Sequence, residues 1–235
     1  VWKIASEIQK LKPDVLGIGI YIWNRSQSFE LIERLQKQNP NLKIVIGGPE
    51  VSFETETSVE CPVISGEGEK KWLEYLQIID QGQVPSEEIL NRWKSYGTDL
   101  PDLEPAYLEE DYLQLKNRIV YFETSRGCPY LCSFCLSALD KTVRYFDDEV
   151  IYNQIKNLID AGVGKFKFVD RTFNLKPGRM KALMEWLSQF GDCEFHFEVV
   201  GDILTPDILK FLESVPPGMF QFEIGIQTTD ETVQE

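Results

Sequence analysis

Three of the five cysteines of this chain lie close together in the segment Glu123–Ser137. Cys128, Cys132 and Cys135 are spaced C-x3-C-x2-C, so a tight loop can bring three thiolates to a single centre. The preceding residues, Arg118–Thr124, are β-branched and aromatic, which predicts a strand that runs directly into the loop. A metal centre at the end of a strand is therefore the feature that any fold of this chain has to accommodate.

Zinc and iron–sulfur clusters are the usual centres built from clustered thiolates. A structural zinc site needs four ligands, and the remaining candidates, Cys61, Cys193 and His196, all lie far away in the sequence. A 4Fe–4S cluster can be held by three thiolates, which leaves one iron open to another ligand. The pattern therefore favours the cluster, with a non-catalytic iron–sulfur or zinc binding module as an alternative.

Strands and helices alternate along both halves of the sequence. Before the cysteines, apolar runs predict buried strands at Val15–Trp23, Leu42–Ile46 and Val63–Ile64. From Arg118 onward, strands are predicted at Ile119–Thr124, Lys165–Asp170, Glu194–Val200 and Phe220–Gln227. This alternation indicates right-handed βαβ units and parallel sheets. The predicted fold class is α/β, with a Rossmann-like doubly wound parallel sheet followed by four further β/α units.

Composition excludes several classes of protein. The net charge of −14 repels nucleic acid, so a nucleic-acid partner is not expected. No apolar run approaches the ~20 residues of a membrane helix, and no signal peptide is evident, so no membrane partner is expected. An odd number of cysteines, three of them clustered, suits a reducing cytoplasm. The start at Val1 and the end at Glu235 suggest a fragment that lacks both ends.

The cysteine motif after a strand, with Phe134 before the third cysteine, resembles the radical S-adenosylmethionine (SAM) enzymes. The resemblance implies that Cys128, Cys132 and Cys135 hold a 4Fe–4S cluster, with Phe134 close to the cofactor. It further implies that SAM binds the open iron and is cleaved by one electron to methionine and a 5′-deoxyadenosyl radical. A reductant such as flavodoxin or ferredoxin would supply that electron. Residues 118–235 would then form a partial (β/α)6-type barrel, the radical SAM core, without its C-terminal part.

Later motifs extend this resemblance to individual cofactor contacts. FEVVGD (Phe197–Asp202) and IGIQT (Ile224–Thr228) resemble the third- and fourth-strand motifs of the superfamily. The resemblance implies that Glu198 and Gln227 contact SAM. Asp170 ends the second strand and is a candidate partner for the SAM ammonium group. The sequence identifies no catalytic residue and no particular small-molecule substrate.

Residues 1–85 resemble a cobalamin-binding Rossmann-like domain whose N-terminal part is missing. The resemblance rests on IGGPEVS (Ile46–Ser52) and SGEGE (Ser65–Glu69). It implies cobalamin contacts from Gly47, Gly48, Gly66 and Glu67. The D-x-H-x-x-G loop that supplies an axial histidine in such domains is absent from this sequence. Residues 86–117 are predicted to form a linker between this domain and the radical SAM core.

The sequence therefore predicts a radical SAM enzyme with a cobalamin-binding domain. Methyl transfer or rearrangement of an unknown substrate is the chemistry that the resemblance implies. An RNA methylthiotransferase is an alternative, because those enzymes share a Rossmann-like domain followed by the same motif. Their N-terminal domains carry three cysteines of their own, whereas Val1–Gln114 contains only Cys61.

Overall fold

The computed structural model of the chain describes residues 1–53, 57–95, 106–139, 142–230 and 232. The chain divides into two compact units, Val1–Pro101 and Asp102–Glu235. The predicted linker, 86–117, spans this division, and its residues 96–105 lie outside the described residues. The predicted boundaries at 85 and 118 stay predictions. Among the described residues, no helix is both long and apolar enough to cross a membrane.

The first unit is a parallel three-stranded sheet with helices on both faces. Its elements are α1 (Trp2–Leu11), β1 (Val15–Gly19), α2 (Arg25–Gln38), β2 (Lys43–Gly47), α3 (Pro49–Phe53), β3 (Val63–Ile64), α4 (Glu69–Asp80) and α5 (Glu87–Lys94). The strands lie in the order β1-β2-β3. Along β2, Ile44 and Ile46 pack into one apolar cluster and Val45 into another, because successive side chains point to opposite faces. This is the predicted doubly wound arrangement.

Helix α5 is anchored in the core of the first unit by Trp93. That side chain is fully buried, and its indole N–H donates to Glu74 Oε2 at 2.8 Å. The hydroxyl of Ser86 caps the helix by accepting from the Ile89 N–H. Helix α5 therefore contributes to the same apolar cluster as α4, the cluster that contains Val45.

The second unit is a parallel four-stranded sheet with a short antiparallel strand pair beside it. Its elements are α6 (Tyr112–Leu115), β4 (Ile119–Phe122), β5 (Ser125–Arg126), β6 (Arg144–Tyr145), α7 (Asp148–Asp160), β7 (Lys165–Phe168), α8 (Pro177–Leu187), β8 (Glu194–Val199), α9 (Pro206–Leu212) and β9 (Phe220–Ile224). The parallel strands lie in the order β4-β7-β8-β9, and β5 pairs with β6. All four predicted strands are present, and each ends one to three residues earlier than predicted.

Phenylalanine fills the core of the second unit. Phe166, Phe168, Phe195 and Phe197 lie on the buried face of the sheet, and the rings of Phe168 and Phe197 stack at 4.8 Å. The alternate side chains of the same strands are polar, including His196, which is half-buried on the other face. Four parallel strands with connecting helices on one face form the predicted partial barrel, and they bring the ends of β4, β7, β8 and β9 to one edge.

Candidate functional site

The cysteine loop leaves the sheet at the C-terminal end of β4, and a strand pair at its neck, where the chain enters and leaves the loop, holds its two ends together. The antiparallel pair β5–β6 joins Ser125–Arg126 to Arg144–Tyr145 on either side of the loop. The Phe146 N–H donates to the Thr124 carbonyl at 3.1 Å and extends this pairing. Gly127 begins the loop with φ 89°, a left-handed conformation that favours glycine. The loop therefore starts from a fixed position at the edge where active sites of β/α barrels are built.

The three clustered cysteines are unbridged and differ in exposure. Cys128 is buried, and Cys132 and Cys135 are exposed. A tight turn, in which the Cys135 N–H donates to the Cys132 carbonyl at 3.0 Å, brings the last two together. Within the described residues, no three His, Cys, Asp or Glu side chains converge closely enough to hold a single metal ion. A 4Fe–4S cluster has a different geometric requirement, because each thiolate binds a separate iron. Three thiols on one loop are a donor set that suits such a cluster.

The thiols of the chain differ in how readily they ionise. Hydrogen bonds from Ser137, helped by the charge of Arg171, lower the pKa of Cys135. Burial raises the pKa of Cys61 to about 11 and also raises the pKa of Cys193. Because the thiolate is the form that binds metal, the local environment favours ligation at Cys135 and opposes it at Cys61 and Cys193.

In cluster-free protein, Cys135 is expected to react with iodoacetamide at lower pH than an ordinary cysteine thiol. Reaction requires the thiolate, whose fraction rises with pH through the pKa, so a lowered pKa moves the rate profile below the usual midpoint of about 8.5. Mass spectrometry of Cys135 peptides across a pH series measures that profile. Cys61 should remain unmodified until far higher pH.

Ser137→Ala is the matched control for this prediction. It removes the side-chain hydrogen bond that is the largest cause of the shift, so the Cys135 profile should move to higher pH. Identical profiles for Cys135 in the wild-type protein and the variant would contradict the assignment of the shift to Ser137.

Asp170 fastens the end of β7 to the end of β4. Its buried carboxylate accepts from the Thr124 N–H at 2.9 Å, the Thr124 hydroxyl at 2.7 Å and the Ser125 hydroxyl at 2.6 Å. Burial raises the pKa of Asp170, and the hydrogen bonds from Ser125 and Thr124 oppose that rise. The carboxylate thus holds the residues that lead into the cysteine loop. Its predicted contact with the SAM ammonium group stays a prediction.

Arg179 supports the same strand end from helix α8, and sequence reasoning missed it. Its guanidinium donates to the Thr124 hydroxyl at 3.2 Å, to the Phe146 carbonyl at 3.3 Å and to Asp148 Oδ1 at 2.7 Å. An arginine in the first turn of a helix is unfavourable beside the positive end of the helix dipole. That position was the available signal that Arg179 has a specific partner.

Thr172 is a second residue that the sequence did not single out. It is buried, and its hydroxyl oxygen lies 3.6 Å from the sulfur of Cys128. The loop that carries it is tied to β8, because the Phe173 N–H donates to the Glu198 carbonyl at 3.1 Å. The Asn174 side chain also donates to the Val200 carbonyl at 2.7 Å.

The remaining predicted SAM contacts lie at the same edge or on the loop. Glu198 is half-buried in β8, on the same face as His196. Gln227 is exposed, lies beyond the end of β9 and has φ 66°. Phe134 is 70% exposed on the cysteine loop. The structure thus gives each residue a position near a strand end or on the loop, and their contacts with SAM stay predictions.

In the first unit, Gly47 ends β2 and Gly48 follows it, at the C-terminal edge of the sheet. Gly48 has φ 98°, and a Cβ there would lie 2.6 Å from the Ile20 carbonyl oxygen. A Cβ on Gly47 would lie 3.1 Å from the Ile64 carbonyl oxygen. Backbone packing alone therefore requires glycine at position 48.

Ser52 connects the two glycine loops of the first unit. Its hydroxyl donates to the Gly48 carbonyl at 2.8 Å and accepts from the Gly66 N–H at 3.1 Å. Glu67 is half-buried beside Gly66. The four predicted cobalamin contacts therefore lie at one edge of the sheet, where ligands of open α/β sheets bind. The only histidine of the chain, His196, belongs to the second unit.

Gly48→Ala is expected to destabilise the first unit in the absence of any ligand. A side chain would be forced into a left-handed conformation and against the Ile20 backbone, at a cost of about 2 kcal/mol or more. Thermal unfolding without cobalamin measures the loss.

Gly68→Ala is the matched control in the neighbouring loop. A Cβ there meets its nearest neighbour, the Ile64 side chain, at an ordinary 3.7 Å, and Gly68 has no positive φ, so the melting temperature should fall far less than that of Gly48→Ala. Equal melting temperatures for Gly48→Ala and the wild-type protein would contradict the packing argument.

Comparison with known families matches both halves of the chain. Residues 2–74 match the model of the B12 binding domain, and residues 122–235 match the model of the radical SAM superfamily. The chain is similar to the cobalamin-dependent radical SAM methyltransferase TokK of Streptomyces tokunonensis, with 29% identity over 71% of this chain and 28% of that protein. It is also 28% identical to the uncharacterized methyltransferase PH0819 of Pyrococcus horikoshii, over 75% of this chain and 43% of that protein. The chain thus spans less than half the length of these two relatives.

A solved structure shares the fold. It is the radical S-adenosylmethionine methyltransferase TsrM from Kitasatospora setae, with a tryptophan substrate and a SAM analog bound. The superposition has a TM-score of 0.67 at 15% identity and covers 98% of this chain and 52% of that one. At this identity the likeness establishes the arrangement of strands and helices.

Proposed function

We propose that this chain, which belongs to the radical SAM superfamily and carries a B12-binding domain ahead of its radical SAM domain, acts in cobalamin-dependent methyl transfer to a small molecule. The observation that carries the proposal is the cysteine loop, closed at its neck by β5–β6 at the end of the first strand of a parallel sheet. Methyl transfer is favoured over rearrangement because TokK and PH0819 are both named as methyltransferases.

The cofactors of the two families are a 4Fe–4S cluster, SAM and cobalamin. Bound there, the cluster would supply one-electron reduction of SAM, and cobalamin would supply a methyl carrier. Cys128, Cys132 and Cys135 would hold the cluster, and the lowered pKa of Cys135 assists its deprotonation. Glu198 and Gln227 would orient SAM from the ends of β8 and β9.

The chain's own residues keep the loop in place while an external reductant acts. The Asp170 carboxylate and the Arg179 guanidinium both bind Thr124, at the start of the loop. Cys132 and Cys135 are exposed on the loop, so a small electron carrier such as flavodoxin or ferredoxin can approach them. Such carriers are cytoplasmic, and this is the location we propose for the chain.

The test is an anaerobic assay with defined products. The protein is reconstituted with iron and sulfide, then incubated with SAM, dithionite and cobalamin. We expect 5′-deoxyadenosine from reductive cleavage, and S-adenosylhomocysteine, which is what remains of SAM after it donates a methyl group. A stable cluster without SAM binding would favour the non-catalytic iron–sulfur module. Zinc in place of the cluster would overturn the proposal.

A further inference from the structure

We propose that Thr172 is a positioning residue whose hydroxyl donates a hydrogen bond to the Cys128 thiolate and raises the reduction potential of the bound cluster. The inference rests on the proposed function, since it assumes that Cys128 is a cluster ligand. Its basis is the 3.6 Å separation between the Thr172 hydroxyl oxygen and the Cys128 sulfur. Both residues are buried, at 5% and 8% exposure.

The direction of the hydrogen bond follows from the chemistry of the ligand. In a neutral thiol either atom can donate, but a metal-bound thiolate has no proton and can only accept. The Thr172 hydroxyl must then donate to the sulfur. In the part of the chain that the structure describes, this hydroxyl has no other hydrogen-bond partner.

The loop after β7 fixes the position of this hydroxyl from both sides. Two residues before Thr172, the Asp170 carboxylate binds Thr124 and so ties the loop to β4. Immediately after Thr172, the Phe173 N–H binds the Glu198 carbonyl and ties the loop to β8. The loop is thus held between two neighbouring strand ends, which fixes the main chain on either side of Thr172 and keeps this residue beside Cys128.

Cys128 differs from the other two cysteines in its burial. Cys135 receives hydrogen bonds from Ser137, but both Cys132 and Cys135 are exposed, so water can also hydrogen-bond to their sulfurs. At the buried Cys128 sulfur, the protein itself must supply the donor, and the Thr172 hydroxyl is in place to do so. A buried hydrogen bond is electrostatically stronger than an exposed one, so its removal should change the reduction potential of the cluster.

The effect on potential has a definite sign. Reduction adds one negative charge to the cluster and its thiolates, and a donor to sulfur stabilises that charge. The hydrogen bond therefore favours the reduced cluster, which is the form that donates an electron to SAM. Removal of the hydroxyl should shift the midpoint potential to a more negative value.

The test is a redox titration of the reconstituted full chain, followed by the electron paramagnetic resonance signal of the reduced cluster. Thr172→Val keeps the shape of the side chain and removes only the hydroxyl. At the wild-type midpoint, we expect the ratio of reduced to oxidised cluster to fall about fivefold, from the loss of one buried hydrogen bond. Thr172→Ser keeps the hydroxyl and should restore a midpoint close to wild type.

Two further variants make the outcome decisive. Thr172→Ala also removes the hydroxyl without adding bulk, so it should reproduce the negative shift in midpoint potential. It replaces the valine variant if that variant does not bind the cluster. Thr205→Val removes a hydroxyl that caps α9 in the same unit, and it should leave the midpoint unchanged. Fully loaded Thr172→Val and Thr172→Ala proteins with the wild-type midpoint would overturn the inference and leave the proposed function intact. A wild-type protein that binds no cluster would instead refute the proposed function.

Discussion

Replacing Cys128, Cys132 or Cys135 with alanine is expected to remove the 4Fe–4S cluster and, with it, all production of 5′-deoxyadenosine. Each thiolate would bind a different iron, and within the loop no remaining thiol is available to take its place. Three thiolates bind three of the four irons and leave the fourth for SAM, so the loss of one thiolate leaves a second iron without a protein ligand. Iron and sulfide analysis of each anaerobically reconstituted variant, with chromatography of the nucleoside product, measures both effects.

Cys193 and Cys61 provide the controls for these variants. Cys193 is buried in the apolar core of the second unit, and Cys61 belongs to the first unit. Burial raises the pKa of both thiols, which disfavours the thiolate that a metal needs. Cys193→Ala and Cys61→Ala should therefore keep a full complement of iron. A full cluster in any alanine variant of the loop would contradict the ligand assignment, and loss of the cluster in Cys193→Ala would identify a fourth ligand.

The order of strands and helices was predictable because it depends on local pattern. The repeated strand–helix pattern predicted all four strands around the cysteine site, but their ends were placed too late. The second strand was predicted to reach Asp170 and stops at Phe168, since the Asp170 side chain turns to bind Thr124 and Ser125. The fourth stops at Ile224, and the positive φ of Gln227 is incompatible with extended strand.

The candidate site was predictable only in its local part. The three cysteines lie within eight residues of one another in the sequence, so their spacing alone indicates a metal centre. Thr172 lies 44 residues from Cys128, and Arg179 lies 55 residues from Thr124, so only the folded sheet reveals these contacts. The glycines of the first unit are evident in the sequence, but they do not identify a ligand site by themselves. The backbone packing of Gly48 against Ile20 accounts for the motif whether or not a ligand binds.

Replacing Asp170 with alanine is expected to destabilise the second unit and to impair cluster assembly together. The Thr124 N–H and the hydroxyls of Thr124 and Ser125 would all lose their acceptor in a buried site. Each unsatisfied buried donor costs about 1–3 kcal/mol, so a total loss of about 3 kcal/mol or more is expected. Denaturant unfolding and the iron content of reconstituted protein measure the two effects.

Asp192→Ala is the matched control, because it removes a carboxylate of the same unit that is exposed. The unfolding free energy of this variant should differ from wild type by less than about 0.5 kcal/mol, and its iron content should be unchanged. Asp170→Asn separates shape from charge. It keeps the size of the side chain and one acceptor oxygen, while its amide group faces donors that it cannot satisfy, so it should lie between the alanine variant and wild type. If Asp170→Ala unfolds like the wild-type protein and binds a full cluster, the carboxylate does not hold the loop. If it binds no cluster while its unfolding is unchanged, Asp170 acts on the cofactors directly, as the sequence resemblance implies.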